Sequence, residues 1–328
     1  MNVYDIAKKA GVSIATVSRV INHPDAVSPV TADKVRAAIE ECNYTPSSLA
    51  RALGNGKTRI IGVMCTDLSD MYCASAVSVL EKELRKANYD MLVIGTGYYV
   101  QDKTNAIQLL LSKGVEAIFL IGAVLDENDD NTYIEAAAKK TPIFVIDGET
   151  DMEGVYCFLT NEEDAIAHAL TRLSIRGRKN AVYLYDSDTP SCDKKLNGYR
   201  KGLQTARMTP NILKVEKTAA SVASALSELI VLGVPFDAII ASEDILAVSA
   251  INTLIRHNIS VPNDVAVIGM NNLPVTEYCQ PTLTSIDIQL KPLCETAVKT
   301  LIDLFDKKVV KSKTILPSEL VYRESFTI

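Results

Sequence analysis

Apolar residues along the chain follow two different spacings, and the change falls near residue 58. Before it the spacing is helical. Residues 4–10, YDIAKKA, read as a short helix with Ile6, Ala7 and Ala10 inward, and Gly11 stops it because glycine enters the left-handed cap conformation cheaply. Ser13 is placed to cap a second helix, about 14–22, in which Val17, Val20 and Ile21 keep one stripe. A third helix, expected after Thr31, carries Val35, Ala38, Ile39 and Cys42 on its inner face. Two helices joined by a glycine-containing turn, with a third across their apolar faces, form a helix-turn-helix unit. From residue 59 short apolar runs alternate with amphipathic stretches. Strands are expected at 59–65, 90–95, 116–122, 142–147, 181–186, 212–215, 236–242 and 265–270. Helices are expected between them, at 72–88, 102–113, 130–140, 162–175, 191–207, 219–231, 243–257 and 289–306. That alternation predicts an α/β body with parallel sheets covered on both faces. The strands fit one sheet or two, and the stretch 149–160, read as lacking strand character, favours two lobes with a cleft at the strands' carboxyl ends.

Composition narrows the function. The 328 residues are 48% hydrophobic and 23% charged, an ordinary globular balance. No apolar run is long enough for a membrane helix, and the N-terminus has no secretion-type apolar region, so a cytoplasmic location is expected. Seven scattered cysteines and three distant histidines suit neither a disulfide framework nor a metal site, and no metal or other cofactor is expected. An enzyme is not expected either. GTGYYV at 95–100 lacks the third glycine of a dinucleotide loop, and no histidine lies in a nucleophile motif. Charge is divided: residues 1–58 carry +2 and the remainder −8. A mildly basic head on an acidic body suits a chain that meets phosphate at one end only.

The outer face of the second helix carries Ile14, Ala15, Thr16, Ser18, Arg19 and Asn22, with no carboxylate. A solvated face usually mixes both signs, whereas a helix inserted into a DNA groove excludes acids that would meet phosphates. The runs VYDIAKKAGVSIATVSRVIN and KVRAAIEECNYTPSSLARAL resemble the headpiece and hinge of the lac/galactose repressor family. The resemblance implies that Ser13, Thr16, Ser18 and Asn22 hold phosphates, joined by Tyr4, Ser28 and Thr31, while Ile14, Ala15 and Arg19 face base edges. It divides the chain into a DNA-binding domain at 1–45, a hinge at 46–58 and a core at 59–328. The hinge, with Ser48, Ala50, Arg51 and Leu53, would fold on operator DNA and wedge Leu53 into a minor-groove step, Arg51 and Lys57 supplying phosphate contacts.

The segments SEDILAVSAINTLIRHNISVPNDVAVIGMNN and PTLTSIDI extend the resemblance to the family's two-lobed, periplasmic-binding-protein-like core. Lobe 1 is then about 59–159 and 287–316, and lobe 2 about 160–286 and 317–328. The implied function is a regulator, expected to be a repressor, that binds a pseudo-palindromic operator as a homodimer through core faces including helix 72–88. Its effector would be a small carbohydrate-like molecule in the cleft. Candidate effector residues at strand carboxyl ends are Asp67, Ser69, Tyr72, Tyr98, Asp147, Lys195, Glu243, Asp244 and Asn271, with Asp70, Gly122, Asp186 and Tyr199 nearby. Lys195 stands where sugar-binding members carry arginine, and loses the bidentate fork. The segments LSDMYCAS, KLNGY and NNLPVTEYCQPTLTSI also resemble the catabolite control subgroup, whose partner is a phosphorylated carrier protein. Gln280 stands there in place of an arginine that precedes the proline.

Overall fold

In the computed structural model, residues 3–22, 26–42, 58–126 and 130–327 are described, the side chain of Asn22 excepted. The hinge residues Ser48, Ala50, Arg51 and Leu53, with Lys57, lie outside the described residues. The headpiece is three helices, α1 (Val3–Ala10), α2 (Ile14–Asn22) and α3 (Pro29–Glu41). Ile6, Ala7, Val17, Val20, Ala32, Val35 and Ala38 close into one small core. The third helix begins earlier than the apolar spacing suggests. Ser28 caps it by accepting from the Thr31 amide, and Pro29 occupies the first turn, where its missing N–H costs nothing.

The body holds two six-stranded sheets. Lobe 1 is built on β1 (Ile60–Cys65), β2 (Asp90–Gly95), β3 (Ala117–Ile121), β4 (Ile143–Ile146), β5 (Val155–Thr160) and β11 (Lys313–Leu316), in the order β11-β5-β4-β3-β1-β2, all parallel. Lobe 2 is built on β6 (Asn180–Tyr185), β7 (Thr209–Lys214), β8 (Ala238–Ala241), β9 (Ala266–Met270), β10 (Thr284–Asp287) and β12 (Glu319–Val321), in the order β12-β10-β9-β8-β6-β7. Among the described strands only β12 runs antiparallel to its neighbour. Strands such as AIFLI and IFVI are buried at every residue, as parallel strands with helices on both faces must be. Helices α4 (Met71–Lys86), α5 (Val100–Ser112) and α6 (Thr132–Ala138) cover lobe 1. Lobe 2 has α7 (Glu162–Ile175), α8 (Pro190–Ala206), α9 (Ala219–Val231) and α10 (Asp244–Arg256), and α11 (Leu290–Phe305) packs back on α4 of lobe 1. Among the described residues no helix is long and apolar enough to cross a membrane.

The strands β5, β10 and β11 lie outside the eight expected ranges, and β5 corrects the reading of the interlobe stretch. The stretch 149–160, expected to lack strand character, contains β5: Val155–Thr160 form a strand, nearly all buried, between β4 and β11. The acidic run before it hides VYCFLT, and Gly154, at φ +80, makes the turn into it. The sheet exchange therefore lies just beyond that stretch. The chain leaves lobe 1 between Thr160 and Glu162, returns between Asp287 and Leu290, and leaves again between Leu316 and Glu319. Thr160 Oγ1 donates to Ile288 O at 2.6 Å, so two of these passes are bonded side by side.

Asp244 opens α10 as a fully buried carboxyl group. Its oxygens accept from Ser285 Oγ at 2.5 Å and from the Leu273 amide at 2.7 Å, tying α10 to the ends of β9 and β10. Gly269 makes room for it: a Cβ there would lie 2.3 Å from Asp244 Oδ1. Burial pushes the Asp244 carboxyl up to about 7, against the two donors and Arg323. A carboxyl group raised on folding stabilises the fold below its unfolded pKa, and that contribution is lost as pH rises through about 7. Asp244→Asn keeps an acceptor for Leu273 and cannot ionise. Urea unfolding between about pH 5 and 8 should show a flatter stability profile for the variant than for the parent. Parallel profiles would mean that Asp244 is not the titrating group.

Candidate effector cleft and nucleic-acid interface

The headpiece presents one polar face. Ser13 Oγ accepts from the Thr16 amide at 3.1 Å and lies 2.9 Å from Thr16 Oγ1. Ser28 repeats the arrangement with Thr31, at 3.4 Å and 2.9 Å. Each of α2 and α3 thus begins with a paired hydroxyl group beside free helix N–H groups, a geometry suited to phosphate. Ile14, Ala15 and Arg19 are exposed and Ser18 half-buried on the same helix, while Val17 and Val20 hold its other side in the core. Arg19 forms no ion pair among the described residues, so its guanidinium is available to a base edge or phosphate. Tyr4 is 66% exposed on α1.

The cleft between the lobes has a volume of about 670 Å3, within the range usual for small-molecule sites. Its two floors are built alike. Asp147 follows β4 with φ +63, and Asn271 follows β9 with φ +98, so each lobe ends a central strand on a polar residue in the left-handed region. Such strain in non-glycine residues concentrates at binding sites. At the centre lies a buried charge cluster. Lys195 Nζ is 3.2 Å from Glu162 Oε1, both side chains being at most 6% exposed, and it donates to Ser242 O at 3.4 Å. Ser191 Oγ lies 2.9 and 3.0 Å from the two Glu162 oxygens. Burial, with Asp147 nearby, pushes Glu162 up to about 7 against the pull of Lys195 and Ser191. Burial also raises Asp147, opposed by Lys195 and Lys194. Burial alone would lower Lys195, but Glu162, Cys192 and Asp147 outweigh it and keep the ammonium charged. The Tyr72 hydroxyl is buried close to Asp147, and Asp186 Oδ1 and Ser242 Oγ are buried without a hydrogen-bond partner among the described residues. Buried polar atoms of this kind are what a bound donor or acceptor satisfies.

Of the residues singled out from sequence, Asp67, Ser69, Asp70, Tyr72, Tyr98, Gly122, Asp147, Asp186, Lys195, Glu243 and Asn271 line this cleft. Two others do not. Asp244 is enclosed behind Glu243 in lobe 2, with both oxygens bonded as described above. Tyr199 is a core residue whose hydroxyl donates to Ala181 O at 2.7 Å. Asp67 and Ser69 bond mainly to each other at the rim, the Ser69 amide and hydroxyl both donating to Asp67 Oδ1 at 2.8 Å. Sequence reasoning passed over Glu162, Ser191 and Lys217. Glu162 sits in an acidic helix start that resembles an ordinary solvated cap. Lys217 follows β7, and the rule that pointed to Asp147, position just beyond a strand's carboxyl end, also finds it. Among the described residues, seven carboxyl side chains and three lysines line the cleft. Each lysine lies within 4.0 Å of a carboxylate: Lys194 of Glu149, Lys195 of Glu162, and Lys217 of Asp70 and Glu243. Gln280 is outside the cleft, where its amide donates to Glu324 at 3.3 Å. Among the described residues no group of three or more His, Cys, Asp or Glu is placed to hold a metal ion.

Comparison with known proteins agrees with both halves of this description. Residues 2–47 match the lacI family of bacterial regulatory proteins, and residues 170–326 match the periplasmic binding protein-like domain. An HTH-type transcriptional regulator of Lachnoclostridium phytofermentans is 39% identical over 330 residues, covering 99% of both chains. The regulator DegA of Bacillus subtilis is 28% identical, covering 98% of this chain and 97% of its own. A Lac repressor dimer bound to operator and the anti-inducer ONPF superposes with a TM-score of 0.88 at 25% identity, covering 99% of this chain and 98% of the other. With a helix-turn-helix head, a two-lobed parallel-sheet core and a relative of this identity along its whole length, the chain belongs to the lacI family of DNA-binding transcriptional regulators.

Proposed function

We propose that this regulator represses transcription as a homodimer on a pseudo-palindromic operator, and that its cleft takes a neutral, hydroxyl-rich or amine-bearing small molecule. The observation that carries the effector reading is the state of the three cleft lysines, all matched to carboxylates in a lining where acids outnumber them. A phosphorylated ligand would need a cation released from its partner and would face the remaining carboxylates across a poorly solvated gap. Hydroxyl or ammonium donors instead meet Asp147, Asn271 and the unpartnered Asp186 Oδ1 directly. Likeness to a Lac repressor dimer bound to operator supports the dimeric mode on DNA. In that mode the two copies of α2 enter successive major grooves, which requires dyad symmetry in the site. The hinge around Leu53 would enter the minor groove between them and bend the duplex there.

Two measurements test the two ends of this reading. DNA selected from a random pool should be a pseudo-palindrome, and Arg19→Ala should relax preference at one base per half-site, at about 1–3 kcal/mol per contact. Enriched sites without dyad symmetry would rule out the dimeric mode. In a thermal-shift screen, neutral saccharides, nucleosides or amines should stabilise the protein, and Asp147→Asn should abolish the shift while leaving the ligand-free melting temperature within a few degrees. Stabilisation by phosphorylated ligands alone would overturn the effector class.

A further inference from the structure

One side chain of lobe 2 spans the mouth of the cleft. Lys217, in the turn after β7, places its ammonium 2.8 Å from Asp70 Oδ2 of lobe 1. It also lies 2.5 Å from Glu243 Oε2 and 3.8 Å from Asp186 Oδ2, both on its own lobe. The contacts therefore differ in kind: Glu243 and Asp186 fix where the lysine stands, and among the described residues Asp70 alone pairs with it across the gap. Asp70 is equally fixed, because its Oδ1 caps α4 by accepting from the Cys73 amide at 2.9 Å. With both ends held in place, little side-chain freedom is lost when they meet, which is the usual weakness of a surface ion pair. The pair is also partly withdrawn from water, Lys217 being 37% and Asp70 20% exposed, so its attraction exceeds that of a solvated pair yet remains open to salt. The other cross-cleft pair, Lys194 with Glu149, is longer at 4.0 Å.

We propose that Lys217 is an interlobe latch: its bond to Asp70 holds the lobes together in the effector-free protein and sets how far they open. The inference shares the cleft with the functional reading above but does not depend on what the effector is. It is tested without effector, so its failure leaves that reading standing. The probe is a dye pair carried by noncanonical residues at the exposed positions Lys113 on lobe 1 and Gln204 on lobe 2 of the full chain. Lys217→Met and Asp70→Asn should each raise the open population about fivefold, as a pair of this exposure allows. Asparagine is itself a good helix N-cap, so Asp70→Asn leaves the start of α4 intact and remains informative should the lysine variant fold poorly. The double variant should open no further than either single one, and Glu243→Gln should have a much smaller effect. Raising salt from about 0.05 M to about 0.5 M should open the parent and move both single variants much less, the longer Lys194–Glu149 pair being the cross-cleft contact left to screen. Unchanged interlobe distances in both variants, or additive effects in the double, would overturn the latch.

Discussion

An ammonium group taken out of water must be given its counter-charge by the fold, and the arrangement of lobe 2 around Lys195 follows from that requirement. The partner, Glu162, is the first residue of α7, while Lys195 and Ser191 belong to α8. The two helices meet at glycine distance: a Cβ on Gly198 would lie 2.3 Å from the Glu163 carbonyl, and one on Gly202 would lie 2.9 Å from the Ala167 Cα. That approach brings the Lys195 ammonium within reach of Glu162 and leaves Ser191 to bond the same carboxylate. Removing one member of such a pair costs about 3–5 kcal/mol, because the other is left buried and unpaired. Glu162 is also the point at which the chain first enters lobe 2. The charge pair therefore fixes the cleft wall and the interlobe crossing together.

This arrangement also explains the character of the cleft. A lysine clamped by Glu162 and faced by Asp147 is not an anion receptor in waiting. Its charge is already spent inside the protein, and what remains available to a ligand is mostly carboxylate oxygen, hydroxyl and amide. Lys195 remains cationic, but the cation is turned inward to hold a helix.

How much of this was legible in the sequence depends on the range of the interaction. Most of the headpiece could be read residue by residue, because the cap at Ser13 and the stripe of Val17 and Val20 act within one or two helical turns, whereas the cap at Ser28, and with it the start of α3, was missed. The body's helices and its longer strands were legible for the same reason, but β5, which acidic residues precede, was not expected, nor were β10 and β11, four residues each with polar positions among them. Cleft residues at strand ends, such as Asp147 and Asn271, follow from topology alone. The partnerships do not. Lys217 and Asp70 are 147 residues apart in the chain, and nothing local to either marks the other. Asp244 shows the converse failure: an acidic residue at the head of a helix beside the cleft resembles a ligand group, yet its side chain turns into the core to bond Leu273 and Ser285.

The three passes between the lobes carry a mechanical consequence. A body joined to another by one strand can swing, twist and slide. One joined by several neighbouring strands, two of them tied by the bond from Thr160 to Ile288, keeps chiefly the freedom to bend about the line that runs through them. Whatever occupies the cleft can then transmit little more than an angle. Chemically diverse molecules, each filling the gap in its own way, are converted into positions along a single coordinate. A scaffold with that property can exchange its ligand while the rest of the machine still receives a message in the same form.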